Sequence, residues 1–268
     1  MVWLLPRIFG KKIAKLEISG AIFAPTRKWV LEALDFVKQR RFPALVLRID
    51  SPGGTVGDSQ EIYEGICRLR ETTKTKVIAS FGNITASGGV YVGVACDRIV
   101  ANAGTITGSI GVIIRGNNLE KLLDRLGVSF KTIKSGQFKD ILSFDRPLSA
   151  EEGQILQSLI DNSYEQFVHV VAKGRKLSPA TVRSFADGRI FTGEQALALG
   201  LVDRLGTEAD AIRWSAELVG LDPDKTKVYT IKPPRSLASR LLPRNALALA
   251  ERLSFELEAS NVPLWLWR

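Results

Sequence analysis

The stretch best suited to chemistry in this 268-residue chain is Asn83-Ile84-Thr85-Ala86-Ser87-Gly88-Gly89-Val90-Tyr91. It sets a serine between a run that reads as a strand and an apolar run that reads as a helix, with two glycines directly after it. A hydroxyl in that place lies at a helix N-terminus, where unbonded backbone N–H groups and aligned peptide dipoles favour negative charge. The Gly88 N–H is then a candidate oxyanion donor. A second donor can come from the turn Ser51-Pro52-Gly53-Gly54, because glycine lets backbone approach a substrate carbonyl closely. The competing reading of this motif is a serine that only caps a helix.

A serine nucleophile needs a base. The chain holds one histidine, His169, inside Phe167-Val168-His169-Val170-Val171, a helical pattern that points to a structural role and away from a Ser-His-Asp triad. The alternative base is a lysine, which accepts a proton only when uncharged. The ordinary lysine value of about 10.4 must then be pulled down towards neutrality by burial. The stretch Lys134-Ser135-Gly136-Gln137-Phe138-Lys139-Asp140-Ile141-Leu142 offers two such residues. Lys139 stands among Phe138, Ile141 and Leu142, the apolar company that desolvation requires. Lys134 closes an expected strand and is the second choice, and a solvated surface lysine is the competing reading for both.

These residues need a frame. Lys12 to Phe23 reads as a strand with a turn at Gly20, and Lys28 to Arg41 carries apolar residues at helical spacing. Ala44 to Ile49 is a short apolar run of the kind found in buried parallel strands. A helix over Ser59–Arg70 and a strand over Lys76–Phe81 follow, then a helix near Ser87–Ala95 and strands at Arg98–Ala101 and Ser129–Lys134 about a helix at Leu119–Leu126. Beyond Ser149 the pattern turns helical, over Glu151–Lys173, Pro179–Phe185 and Gly193–Leu199. Such alternation predicts an α/β fold with parallel strands, flanking helices and right-handed crossovers. The expected divisions are an N-terminal segment at residues 1–11, a main domain at 12–221 and a loosely held basic extension at 222–268, broken by Pro223, Pro233, Pro234 and Pro243.

Composition narrows the partners. Hydrophobic residues make up 45% and charged residues 24%, a globular balance. Two cysteines, Cys67 and Cys96, give no disulfide framework and read as small buried hydrophobes. The net charge of +9 suits an anionic partner, yet no nucleic-acid module, zinc spacing, nucleotide site or other cofactor or metal motif is visible. Arg7, Lys11 and Lys12 beside Val2-Trp3-Leu4-Leu5, with Pro263-Leu264-Trp265-Leu266-Trp267-Arg268 at the other end, point to peripheral contact with a membrane surface. Neither end has the apolar length to span a bilayer, and Pro6 and Arg7 interrupt any cleavable signal. A membrane-associated or cytoplasmic protein is expected.

Several blocks together resemble one family. Asp50-Ser51-Pro52-Gly53-Gly54, Thr85-Ala86-Ser87-Gly88-Gly89-Val90-Tyr91, Thr107-Gly108-Ser109-Ile110-Gly111-Val112, Ile133 to Asp140, Asp187-Gly188-Arg189-Ile190-Phe191-Thr192-Gly193 and Gly200-Leu201-Val202-Asp203 are similar, in order, to signal peptide peptidase A, also called protease IV. The resemblance implies a ClpP/crotonase-like α/β fold and a serine–lysine dyad. By motif position Ser87 is the nucleophile, Lys139 the general base, Ser109 a hydrogen-bond partner of the lysine, and Gly54 and Gly88 the oxyanion donors. It implies hydrophobic peptide substrates, residual signal peptides among them, and homo-oligomeric rings or domes in which the dyad can form across neighbouring subunits. A crotonase-like acyl-CoA enzyme and a non-catalytic membrane scaffold are the alternatives.

Overall fold

The computed structural model describes residues 12–233 and 262–267. Arg7, Lys11, the apolar start around Trp3, Pro234, Pro243 and Arg268 lie outside the described residues. The chain opens with β1 (Lys12–Ser19), α1 (Ala24–Arg40), β2 (Ala44–Ser51), β3 (Gly53–Thr55), α2 (Val56–Thr72) and β4 (Lys76–Ala86). It continues through α3 (Gly88–Gly93), β5 (Arg98–Ala101), β6 (Ile106–Gly108), α4 (Glu120–Leu126), α5 (Ala150–Arg175) and α6 (Pro179–Arg183). The remaining elements are β7 (Ile190–Thr192), α7 (Gly193–Ala198), β8 (Arg204–Leu205), α8 (Glu208–Leu218), β9 (Lys227–Thr230) and β10 (Leu264–Leu266).

The main sheet runs β7-β6-β4-β2-β1-β9, with β5 also paired to β4 and β8 to β5. Every pairing in it is parallel except β6 with β7. The expected α/β architecture with flanking helices is therefore present. Side chains alternate across a strand, so β2 feeds two cores. Leu45, Leu47 and Ile49 join the large cluster with α1, α2, α3 and α5. Ala44 and Val46 face the other way, towards Ala211 and Ala216 of α8. Buried on both faces, β2 reads as a continuous apolar run, as strands covered by helices do.

The fold corrects several expectations. Ser129 to Lys134 forms no strand; all six residues are exposed, and among the described residues they pair with no strand. Helix α8 and the short strands β3, β6, β7 and β8 escaped the periodicity reading. The extension beyond Leu221 is also better held than expected where it is described. β9 pairs with β1 at the edge of the main sheet, and β10 pairs with β3. Cys67 and Cys96 are free thiols, Cys96 buried and Cys67 half-buried; burial pushes both thiols up.

Candidate active site

Strand β4 is long enough to serve two neighbourhoods. Its first half pairs with β5, from Ile78 opposite Arg98 to Phe81 opposite Ala101. Its second half pairs with β6, from Ile84 opposite Ile106 to Ala86 opposite Gly108. The bend between them falls at Gly82 and Asn83, and the Asp50 carboxylate holds it by accepting from Ile84 N (3.1 Å), Asn83 N (3.3 Å) and Asn83 Nδ2 (3.4 Å). Gly82 must lack a side chain, because a Cβ there would lie 2.6 Å from Asp50 Oδ2. Thr85 Oγ1 donates to Ile49 O at 2.6 Å and accepts from Gly82 N at 3.2 Å. The end of β4 is thus pinned from three sides before Ser87 is reached.

Ser87 is the N-cap of α3 at φ 53° and ψ −117°. A non-glycine residue at positive φ is uncommon and costs of order 1–3 kcal/mol, a strain that collects at functional sites. Its backbone is fixed all the same: Ser87 N donates to Gly108 O at 2.8 Å, and Ser87 O accepts from Tyr91 N at 3.0 Å. The side chain is 1% exposed, and its Oγ has no hydrogen-bond partner among the described residues. A sharp strand-to-helix turn that carries a buried, unpartnered hydroxyl at the helix N-terminus resembles the geometry of a nucleophile elbow.

Backbone packs closely around Ser87. Gly53 has φ +103°, and a Cβ on it would fall 2.7 Å from Gly88 N. A Cβ on Gly88 would fall 3.2 Å from Gly54 N and 2.6 Å from Ser59 Oγ. A Cβ on Gly54 would run into the backbone of Ile22. The N–H groups of Gly54 and Gly88 therefore sit close together beside Ser87, in the surroundings an oxyanion requires. Ser109 follows directly on β6, at φ 51° and buried, its N–H donating to Arg189 O at 2.7 Å. Gly188 N donates to Ile110 O at 3.1 Å, so the Asp187–Gly193 block braces the Ser109 turn. Ser87, Gly88, Gly54 and Ser109 are brought together.

Lys139 is not joined to them by any hydrogen bond, and it is exposed. The dry surroundings expected from Phe138, Ile141 and Leu142 are absent in the single chain, since these three are only half-buried. Lys134 is committed elsewhere, donating to Asp140 Oδ1 at 2.5 Å and to Gln137 O at 2.8 Å. The arm carrying both lysines exposes Leu122, Leu126, Phe130, Phe144 and Leu148, and Ile133 is 91% exposed. No side chain of α4 is buried. His169 is an exposed residue of α5 whose Nδ1 lies 2.7 Å from Glu165 O, as its helical setting suggested. Among the described residues no cluster of metal-ligating side chains occurs, and no helix is long and apolar enough to cross a membrane.

The model of peptidase family S49 matches residues 70–222, more than half of the chain. The chain belongs to peptidase family S49. It is 59% identical over the full length of both chains to Synechocystis sp. slr0021, a protein provisionally named a protease. It is 37% identical to Protease 4 of Salmonella typhi over 71% of this chain and 30% of that one. With the chloroplastic serine protease SPPA of Arabidopsis thaliana it shares 34% identity over 82% of this chain and 34% of that one. It spans about a third of these two longer relatives. Among solved structures, a membrane-bound stomatin-specific protease, 1510-N, superposes with a TM-score of 0.60 at 16% identity, covering 85% of this chain and all of that one. ClpP1 of Listeria monocytogenes superposes with a TM-score of 0.51 at 16% identity, over 74% and 93%. The fold is thus ClpP-like, and the chain is a peptidase of family S49.

Sequence reading missed several residues that build this candidate site. Asp50 and Thr85 shape the approach to Ser87, and Ser59, whose Oγ donates to Thr55 O at 2.9 Å, packs against Gly88. Asp50 and Thr85 sit inside the family blocks, which was the available signal. The polar contacts that give them work cross more than 30 residues and leave no periodicity behind.

Proposed function

We propose that the chain is a serine endopeptidase with Ser87 as nucleophile and Lys139 of a neighbouring copy as general base. The observation that carries the first half is the strained, buried and unpartnered Ser87 hydroxyl beside the Gly54 and Gly88 N–H groups. Support for the second half is the exposure of Lys139 on an arm rich in uncovered apolar side chains, which a second subunit would bury.

In the proposed reaction the neutral lysine amine takes the Ser87 proton as Oγ bonds to the peptide carbonyl carbon. The oxygen gains negative charge and is held by the N–H groups of Gly54 and Gly88. Collapse breaks the C–N bond, and the lysine returns its proton to the leaving amine. Water, deprotonated by the same lysine, then hydrolyses the acyl-serine. Ser109 is read as the residue that orients the amine. Extended hydrophobic peptides, residual signal peptides among them, suit an edge such as β3, which can pair with a strand-like ligand. Membership of a peptidase family sets aside the acyl-CoA reading. The membrane-surface partner loses one of its supports, because Trp265 is fully buried.

A serine-directed phosphonate should label Ser87 in the wild type, and a peptide substrate should compete with the label. Ser87→Ala should lose hydrolysis by about 10^4-fold or more while keeping its thermal unfolding midpoint. Undiminished hydrolysis by Ser87→Ala sinks the assignment.

A further inference from the structure

The two N–H groups proposed to hold the oxyanion sit on different segments, Gly54 on β3 and Gly88 at the start of α3. Donors stabilise an oxyanion only from about 2.7–3.1 Å, so the spacing of the two segments has to be set by the protein before a substrate arrives. Each segment is fixed separately. Ser87 N anchors the Gly88 side by donating to Gly108 O at 2.8 Å. On the Gly54 side, Ile22 N donates to Gly53 O at 2.8 Å, Thr55 N donates to Ile22 O at 3.0 Å, and Gly53 N donates to Ser51 Oγ at 3.1 Å. None of these bonds runs from one donor segment to the other.

One side chain reaches both. Ser59 lies in the opening turns of α2 and is fully buried. Its Oγ donates to Thr55 O at 2.9 Å, the carbonyl of the residue that follows Gly54. The same Oγ is 2.6 Å from where a Cβ on Gly88 would lie, and that Cβ would be 3.2 Å from Gly54 N. Ser59 therefore stands against both donor segments at once. A serine that bonds to the carbonyl four residues back is ordinary in helices and carries no functional meaning by itself. Its position is not ordinary. Ser59 heads the buried stripe of α2, followed by Ile62, Tyr63, Ile66 and Leu69, where helical periodicity calls for an apolar residue. A larger apolar side chain would run into Gly88, and alanine would fill the stripe without reaching Thr55 O.

We propose that Ser59 is a positioning residue, a spacer whose hydroxyl sets the separation of the Gly54 and Gly88 N–H groups. The proposal rests on the Ser87 reading for what those groups do; the spacing itself depends only on the two glycine segments. Without the Oγ, Thr55 O loses a donor and Gly88 faces a gap, so the starts of α2 and α3 relax towards each other. Bonds that form only as charge develops on the oxygen then weaken, because they are the most sensitive to donor placement. Ground-state contacts along the rest of a bound peptide are untouched.

The test compares the wild type with Ser59→Ala. The variant should lose about tenfold in kcat, less than the roughly 10^2–10^3 of removing one donor outright, while KM for a peptide substrate stays within about twofold. The inhibition constant of a peptide aldehyde, whose carbonyl carbon bonds to Ser87 Oγ and whose oxygen then takes the oxyanion's place, should rise by about the same tenfold. Amide deuterium exchange at Gly54 and Gly88 should quicken about tenfold, while Leu45 to Leu47 in β2 exchange as before. An unchanged kcat, a KM that rises in step with the loss, or wild-type exchange at the two glycines overturns the proposal. The exchange measurement needs no nucleophile. If the wild type hydrolyses no peptide, the peptidase reading fails by itself, and exchange quickened only at Gly54 and Gly88 still upholds the spacer.

Discussion

The two halves of the proposed dyad live in opposite surroundings. Around Ser87 everything is finished inside one chain: Thr85, Ala86, Gly88, Gly89, Val90 and Tyr91 are all buried, the elbow is bonded to β6 and α3, and each glycine is packed against backbone or a fixed side chain. Around Lys139 almost nothing is finished. The arm is anchored at its root, where Arg146 reaches Asp140 (2.9 Å) and Glu152 (2.5 Å), but its outward apolar residues cover no core. A hydroxyl nucleophile needs fixed geometry, which a rigid sheet supplies. A lysine base needs dryness, which an exposed arm obtains only when something covers it. On the proposed reading, assembly is therefore part of catalysis and not merely its setting.

The hardest blow to this contrast falls on Lys139. Lys139→Ala should lower kcat by about 10^3-fold or more, whereas Lys134→Ala, which removes an ion pair to Asp140 and a bond to Gln137 O within the arm, should stay within about threefold. If the Lys134 variant is dead and the Lys139 variant active, the base is misassigned. Mixing inactive Ser87→Ala with inactive Lys139→Ala should restore part of the activity, since an intact serine of one chain can then meet an intact lysine of another. A mixture that stays silent under exchange conditions places both groups in the same chain and breaks the comparison. Next in size is the core. Phe81→Ala empties a site beside Gly93 in the buried cluster and should cost about 3–5 kcal/mol in urea unfolding. The paired changes Phe130→Asp and Ile133→Asp should leave that unfolding nearly unchanged while abolishing both assembly, read by sedimentation, and hydrolysis. A large loss of single-chain stability from the arm variants would show that the arm packs on its own core after all.

The difference between the regions also explains what the sequence could reveal. The long elements were legible because burial on one or both faces writes a period or an unbroken apolar run, as in β2 and α1. The Ser87 turn was legible because glycines are demanded wherever backbone must pass close to backbone. Strands of three residues such as β3, β6 and β7 are too short to show any period, and their pairing is set by distant partners. The expected strand at Ser129–Lys134 has no clean alternation, since Phe130 and Ile133 would fall on opposite faces of an extended chain, and among the described residues it joins no sheet. For Lys139, apolar neighbours along the chain did not amount to burial in space. Trp265 misled in the opposite sense: its place near a basic end suggested a bilayer, and only the fold brings it next to Tyr91, over 170 residues earlier.

The smallest expected effect concerns the arm's root. The Arg146 guanidinium, and then the Ser149 backbone N–H, pull the Glu152 carboxyl down to about 2. Arg146 and Lys134 hold Asp140 well below the usual carboxylate range. A carboxyl lowered by folding contributes stability in full above its unfolded value of about 4 and loses it as pH falls through the folded value. The staple should therefore still hold at pH 3.5, where free carboxylates have begun to protonate, and begin to release only near pH 2, with Glu152 protonating before Asp140. Pepsin, which works in that range, reads the outcome directly. At pH 3.5 the wild-type arm should be cut slowly, and Arg146→Leu should raise cleavage within residues 119–148 by about threefold. The gap should narrow near pH 2, where Glu152 begins to protonate and the wild type loses that half of the staple. Equal rates at pH 3.5 would mean that the ion pairs do not order the arm, and that its position is set only once a second copy covers it.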